Sequence, residues 1–394
     1  MVHGLQAMAY TRFVERMKRY NMIEIIEVKT NRDIKDFIEL PLKMYKNCPY
    51  FVPMLYGDEK KLIKEGGKRD IADSVFFLAK KDGRVVGRIQ GILHKQSNEL
   101  RNEKRVRFTR FDAINDKEVS GALFSALENW AREKGMTHIH GPLGYSDMDR
   151  EGLLIEGFNE NSTYEEQYNF DYYGDLIENS GYTKEVDWLE FELTKPDKKN
   201  EMLERVAKRA LELNKLHLVD TKALGKRKFI EKYGDSIFDC IDECYSKLYG
   251  TMPISSEERK QLIRDFKLVL NFNYCVFICD KNEKIVAFGL SFPSLSKALK
   301  KSGGKLGPVS IIKLLKAINK PKAIDLGLVA VLPKYQNSGI NAVIVNGVSD
   351  MLLSGKIKKC ETNLNLETNV QVMAQWKHFN SRQHKRRRAY VKEI

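Results

Sequence analysis

The sequence predicts an α/β protein made of two mixed sheet-and-helix domains in tandem, and three observations carry that reading. The chain is 394 residues long, room for two cores of about 190 residues each. Its periodic segments run β-β-β-α-β-α-β and then repeat that order about 200 residues later. Between the repeats, Thr194-Lys195-Pro196-Asp197-Lys198-Lys199-Asn200 breaks a β-like run before an amphipathic helix starts near Glu201.

The elements follow in order. Ile23-Glu24-Ile25-Ile26-Glu27-Val28 alternates as a strand should. Ser74 to Lys80 and Arg84 to Leu93 read as two strands joined by Asp82-Gly83, a tight hairpin signal. A third strand (Arg105 to Asp112) leads to an amphipathic helix from Asp116 to Lys134, closed by Gly135. Thr137 to His140 is a strand, Tyr172 to Asn179 a helix closed by Gly181, and Val186 to Leu193 the last strand of the half. In the second half, strands Asn273 to Cys279 and Lys284 to Phe292 flank Lys281-Asn282-Glu283. Ala323 to Val331 leads into a helix from Gly339 to Leu353, closed by Gly355; strand Lys358 to Leu366, helix Thr368 to Phe379 and strand Arg388 to Lys392 complete it. The domains are therefore expected at 23–195 and 196–394, preceded by a basic extension, 1–22, that carries Arg12, Arg16, Lys18 and Arg19.

Composition narrows the function classes. No apolar run approaches the roughly 18 residues a membrane helix needs, and no apolar stretch with a cleavage site opens the chain. Six scattered cysteines make no disulfide framework, so a cytoplasmic setting with reduced thiols is expected. The net charge of +14 is uneven. Residues 151–192 hold twelve acids and one Lys; Lys297 to Lys322 holds eight Lys and Lys377 to Lys392 seven Lys or Arg, both without an acid. Such basic stretches read either as solvated surface or as sites for phosphates and anionic lipid. No helix-turn-helix, zinc-finger or aromatic RNA-binding pattern accompanies them, so no specific nucleic acid is expected.

The motif with chemistry in it is the second-half strand Leu326-Gly327-Leu328-Val329-Ala330-Val331, followed by Gln336-Asn337-Ser338-Gly339-Ile340-Asn341 and a helix. Consecutive main-chain N–H groups at a helix N-terminus form an anion nest, and Gly339 is where backbone approaches a phosphate closely. This strand–loop–helix resembles the GNAT acyltransferases, whose hallmark loop is Gln/Arg-x-x-Gly-x-Gly/Ala. Asn341 departs from it. A more specific resemblance, over residues 23–394, is to the YghO-like tandem-GNAT family, which includes bacterial ceramide synthases. It rests on Pro49-Tyr50-Phe51-Val52-Pro53, Val86-Gly87-Arg88-Ile89, Asn98, Gly141-Pro142, Ser146, Gly152-Leu153-Leu154, Gly157-Phe158, Asn169, Tyr172-Tyr173 and Gly181-Tyr182. Arg107 to Asp112 and Phe170-Asp171 depart from that family's pattern.

The resemblance implies two GNAT-like domains and direct transfer of an acyl group from acyl-CoA, the cosubstrate, to an amine, with no covalent enzyme intermediate and no metal. The second half is the expected acyl-CoA site: Leu328 to Val331 for the pantetheine and the acyl carbonyl, Gln336 to Asn341 for the pyrophosphate, and Asn369 for the pantetheine arm. The first-half turn Ala113 to Lys117 has no Gly and carries Asp116, which repels a pyrophosphate. Trp376 stands where many members have an acidic Tyr, and an indole cannot protonate a thiolate. That substitution leaves open an alternative, a catalytically silent protein that binds CoA or a nucleotide, RNA or an anionic membrane surface.

Glu367 and Glu361, at the two ends of the fifth second-half strand, are the candidate bases, Glu367 ranked first. Asp147, Asp149 and Glu151, with Tyr172 and Tyr173, are candidates to receive a cationic amine, a small molecule or a long-chain, sphingoid-like lipid. Ser310 to Ile318 alternates apolar residues and Lys at helical spacing, which fits a half-buried helix, the preferred reading, or a peripheral contact with the inner membrane face. Cys240/Cys244 and Cys275/Cys279 sit on regular elements and read as buried thiols, not as zinc ligands. His138 and His140 share one side of a strand, a placement that suits packing or solvent contact.

Overall fold

The computed structural model describes residues 22–394 except 69, 70 and 253; the basic extension lies outside the described residues apart from Met22. Its strands are β1 (Ile23–Glu27), β2 (Ala72–Lys81), β3 (Arg84–His94), β4 (Arg105–Ala113), β5 (His138–Gly141), β6 (Leu153–Glu156), β7 (Thr183–Thr194), β8 (His217–Leu218), β9 (Val276–Cys279), β10 (Ile285–Pro293), β11 (Ala323–Val331), β12 (Lys359–Thr362), β13 (Asn365–Leu366) and β14 (Asn380–Glu393). They form one mixed sheet in the order β1-β2-β3-β4-β5-β14-β7-β12-β11-β10-β9-β8, with β6 beside β14 and β13 beside β7. Helices α1 (Asn31–Met44), α2 (Tyr56–Lys64), α3 (Lys95–Arg101), α4 (Lys117–Glu133) and α5 (Tyr173–Asn179) belong to the first half. The second carries α6 (Glu201–Asn214), α7 (Thr221–Leu224), α8 (Lys226–Tyr245), α9 (Ser256–Val269), α10 (Ser296–Lys300), α11 (Pro308–Asn319), α12 (Ile340–Leu353) and α13 (Val370–Met373).

Each half buries a helix on its sheet at a glycine. A Cβ on Gly91 of β3 would stand 2.3 Å from Leu127 of α4, and one on Gly289 of β10 2.7 Å from Ile344 of α12. On the opposite face of the second half, α8 packs Phe229, Phe238 and Ile241 against Phe277, Phe288 and Leu290. Each such buried side chain stabilises by about 1.5–3 kcal/mol.

The sheet order holds a feature the sequence reading lacks: the two halves exchange their last strands. β14, the C-terminal strand, lies between β5 and β7, antiparallel to both, and completes the first half. β7 pairs Thr194-to-Glu192 with Lys359-to-Glu361 of β12 and so completes the second. β14 also runs fourteen residues where only Arg388 to Lys392 was expected as strand.

The exchange corrects the reading of the basic tail as surface for phosphates. Lys385 and Arg387 are 1% and 0% exposed, and the acid-rich stretch neutralises the tail along the strand pairing. Arg382 meets Glu160 and Glu192, Lys385 meets Glu190 and Glu361, and Arg386 meets Glu156 and Asp187. Arg387 meets Glu190, Arg388 meets Asp187, and Lys392 meets Glu128. A central strand tolerates these cations because each is paired; removing one buried partner costs about 3–5 kcal/mol.

Candidate functional site

β11 and β12 run parallel only from Ala323 to Leu326, opposite Lys359 to Thr362. There β12 ends and the chain turns to pair as β13 with β7, while β11 continues to Val331 against β10. The strands therefore part at Gly327, and the β11 edge beyond it opens into the second half. Both hydrogen-bonding groups of Val329 turn into this opening, and both are held by one side chain. The Tyr245 hydroxyl at the end of α8 donates to Val329 O (3.0 Å) and accepts from Val329 N (3.3 Å). Burial pushes the Tyr245 phenol well up, so it stays protonated. Behind Val329 lies a partly open, mostly apolar pocket of about 140 Å³, lined by Leu326, Gly289, Ile344, Trp376 and Phe379.

The strand then leads into the candidate phosphate loop. A short turn, Pro333–Tyr335, follows, and Gln336 Nε2 reaches back to Val331 O at 3.1 Å. Ser338 Oγ donates to Tyr335 O (2.6 Å). Asn337 and Gly339 have φ of +60° and +83°, so the main chain curls its N–H groups to one side before α12. Among the described residues, the N–H groups of Asn337, Gly339, Ile340 and Asn341 have no partner, and α12 has no side-chain cap. A Cβ on Gly339 would lie 3.3 Å from Val206 and Ala210 of α6, so the glycine serves the packing of α6 as well as the loop.

The equivalent place in the first half is already filled. Asp116 caps α4, accepting from Glu118 N (2.9 Å) and Val119 N (3.4 Å), and pairs with Lys81 at 2.8 Å. Tyr172 donates to Ala113 O (2.9 Å) and Ala113 N donates to the Tyr173 hydroxyl (3.3 Å). The two tyrosines read as acceptor residues thus stopper the parting of β4 and β5, with Tyr173 wholly buried against Asp112 and Tyr45.

Around the parting of β11 and β12, on the face turned to α8, runs a buried group of carboxylates. Asp325 of β11 sits two residues before Gly327, and among the described residues neither of its oxygens has a hydrogen-bond partner. Burial first, then the charges of Glu165 and Glu361, push its carboxyl far above the ordinary aspartate range. Burial also lifts Glu166 to about 8 and Asp147 to about 6. Glu151 is also raised well above the ordinary glutamate range, through burial and Asp147, and among the described residues its Oε1 has no partner. Glu361 behaves oppositely: burial would raise it, but Lys385 (3.1 Å) and Lys359 (2.8 Å) hold it below the usual range.

The candidate residues of the sequence fall in several places. Leu328 to Val331, the loop Gln336 to Asn341 and Trp376 surround the opening of the second half. Asn369 caps α13, accepting from Val372 N at 3.3 Å. Glu367 lies against β7, bonded to Lys184 (2.9 Å) and to Asp187 N (3.1 Å). Asp147 and Glu151 face the second half near Gly250, where a Cβ would stand 3.0 Å from Glu151. Asp149 accepts from Tyr145 N (2.9 Å) and lines a separate first-half cleft with Arg88, Arg110 and Arg150. His140 is buried and meets Glu185 at 3.3 Å and Tyr249 at 3.2 Å. Cys240 and Cys244 lie 4.0 Å apart, whereas Cys275 donates to main-chain oxygens of Asn271 and Ser291. One group of metal-ligand type occurs among the described residues, His217, Cys279 and Glu283, and there Glu283 already bonds Lys232 and Tyr233.

Sequence reasoning missed Asp325 and Tyr245. Asp325 is the sole charged residue in Ala323–Val331, and a lone acid in an otherwise apolar central strand was a usable signal. Nothing local marks Tyr245, which reaches Val329 across 84 positions.

Two curated relatives match nearly end to end. Protein YghO of Escherichia coli is 25% identical over 376 residues, covering 92% of this chain and 93% of that protein. A bacterial ceramide synthase of Caulobacter vibrioides is 25% identical over 383 residues, covering 94% of this chain and 98% of that protein. Among solved structures, a tandem GNAT protein from the clavulanic acid biosynthesis pathway superposes with a TM-score of 0.54 at 12% identity, covering 94% of this chain and 98% of its own. A GCN5-related N-acetyltransferase from Sphaerobacter thermophilus gives 0.50 at 10% identity, covering 94% and 95%. No family model matches.

Proposed function

Because the chain is a tandem GNAT-fold protein related along almost its whole length to YghO and to a bacterial ceramide synthase, we propose that it is an N-acyltransferase that moves an acyl group from acyl-CoA to an amine, using the second half. The observation that carries the proposal is the contrast between the halves. The α12 N-terminus is uncapped, whereas Asp116 caps α4 at the equivalent place in the first half; tyrosine hydroxyls hold the parted strand edge in both, one in the second half and two in the first.

In this reading the pyrophosphate rests on the free N–H groups of Asn337, Gly339, Ile340 and Asn341, where the helix end favours an anion. The pantetheine enters the opening beyond Gly327 and takes over the groups of Val329 that Tyr245 holds. The amine arrives as a cation, and its charge favours the ionised forms of the buried carboxylates of loop 147–166 and of β11 beside it. Asp325 is the base. The ammonium charge beside it favours its ionised form, so the proton that burial holds on it leaves to solvent as the amine binds; the carboxylate then takes a proton from the ammonium, and the freed nitrogen attacks the thioester carbonyl. A main-chain N–H of β11 receives the oxyanion that forms. Collapse breaks the C–S bond and releases an amide and the CoA thiolate, which picks up a proton. Glu361 and Lys385 hold the charge around Asp325; Glu361 is too well paired to serve as the base. The relationship to a ceramide synthase supports a long-chain amine as acceptor.

Amine-dependent release of CoA thiol, followed with acyl-CoAs of increasing length, tests this. Wild-type protein should release thiol in proportion to amide formed. Asp325→Asn should lower kcat by about 10² or more while CoA affinity stays within about twofold. Tight CoA binding with no turnover on any amine would refute the enzyme reading.

A further inference from the structure

We infer that α11 and the lysine-rich loops around it dock the protein on an anionic lipid bilayer. The inference rests on the segment 294–322, which is inserted between β10 and β11, the strands on either side of it being paired directly. A helix on a globular protein normally turns its apolar residues inward. α11 does not: it contains no buried residue. Only Ser310, Leu314, Ala317 and Ile318 are half-buried, while Val309, Ile311, Ile312 and Leu315 are 46–66% exposed, as is Leu306 just before them. The half-buried helix read from the sequence is therefore a minority of its surface.

Charge selects the occupant. Eight lysines and no acid lie between Lys297 and Lys322, so within the insertion the apolar face is accompanied by cations alone. An apolar strip with such basic neighbours complements a bilayer bearing anionic headgroups: the strip enters the acyl boundary and each lysine adds attraction near the surface. A second copy of the same chain would bring the same cations into contact, which opposes self-association through this face.

The insertion is also held in a fixed place. Leu299 and Ala298 anchor α10 in the protein, Tyr56 N donates to Gly304 O at 2.9 Å, and Lys305 Nζ lies 5.1 Å over the Tyr56 ring. Met54 and Tyr56 line the mouth of the first-half cleft. The docking face thus stands beside this cleft, whose walls combine apolar side chains with Arg88, Arg110 and Arg150, and a membrane-borne substrate would be presented at the protein rather than extracted into water. This deepens the acyltransferase reading, and the two are tested separately.

Co-sedimentation with vesicles of phosphatidylcholine alone and with one-third phosphatidylglycerol tests the surface. Wild-type protein should partition at least tenfold more strongly onto the anionic vesicles, and 0.5 M salt should weaken that preference. The double variant Ile312→Glu/Leu315→Glu, altered only at exposed positions, should keep its melting temperature and lose at least tenfold in partitioning. It should still transfer short acyl groups to a water-soluble amine at the wild-type rate. Equal sedimentation of wild type and variant, or a concentration-dependent dimer abolished by the variant, overturns the docking inference whatever the transferase assay gives. Vesicle binding by a wild-type protein that transfers nothing leaves docking standing and refutes the enzyme.

Discussion

Replacing Tyr245 by Phe should weaken the protein and strengthen its hold on CoA at once. The hydroxyl satisfies both the N–H and the C=O of Val329, at 3.3 and 3.0 Å, inside the second half. Phe keeps the ring in place and leaves two buried main-chain groups without a partner, at a cost of about 1–3 kcal/mol each at most. The free protein should therefore melt a few degrees lower. If the pantetheine takes the same two groups, wild-type protein must break the Tyr245 bonds before it can bind. A net value of about 0.5–1.5 kcal/mol per hydrogen bond makes this a handicap of roughly 1–3 kcal/mol, and each 1.4 kcal/mol is a factor of about ten. CoA should thus bind the variant about tenfold more tightly by isothermal titration calorimetry, and saturating CoA should restore most of the lost melting temperature. A folded variant with unchanged or weaker CoA affinity would refute the idea that Tyr245 and the pantetheine compete for Val329.

Three further outcomes follow from the same geometry. Asn337 is exposed with φ of +60°, which Asp also tolerates, so Asn337→Asp should keep the fold and weaken CoA binding several-fold at low salt, measured by the same calorimetry. Asp116→Ala should lower stability by about 1 kcal/mol in urea melts through loss of the α4 cap, with CoA affinity unchanged. Glu166 is lifted to about 8 by burial, so its carboxyl is protonated in the folded protein over a range where the unfolded chain ionises it. Its favourable contribution is complete below about pH 4.5 and fades as pH rises toward 8; Glu166→Gln should match wild type near pH 4.5 in denaturant melts and exceed it by a few kcal/mol at pH 8.

What the sequence revealed and what it withheld divide along the range of the interactions. The hairpin at Asp82-Gly83, the helix stops at Gly135 and Gly355 and the turn before α12 are local, set by glycine conformations and apolar periodicity, and all were legible. The exchange of β7 and β14 was not, because a strand's alternation is the same whichever sheet it joins. Its trace was present: an acid-rich stretch at 151–192 and a base-rich one at 377–392, each weighed without the other, are the two sides of one buried pairing. The strand expected from Lys358 to Leu366 breaks at Asn363, since β12 must leave β11 for the strands to part. The helix expected over Thr368 to Phe379 is one α turn followed by a tighter one, and it brings Trp376 over the pocket. Within the candidate site the turn before α12 was readable from Gly339 and Gln336. Asp325 and Tyr245 depend on what folds over them, the 164–167 loop and the end of α8, contacts that no local pattern encodes.

The assignment of the CoA site to the second half is tested most directly by hydrogen exchange of main-chain amides with and without CoA. The account predicts slowed exchange in peptides covering Asn337 to Asn341 and in β11 beyond Gly327, with Ala113 to Lys117 unchanged. Protection of Ala113 to Lys117 with Asn337 to Asn341 unaffected would contradict it.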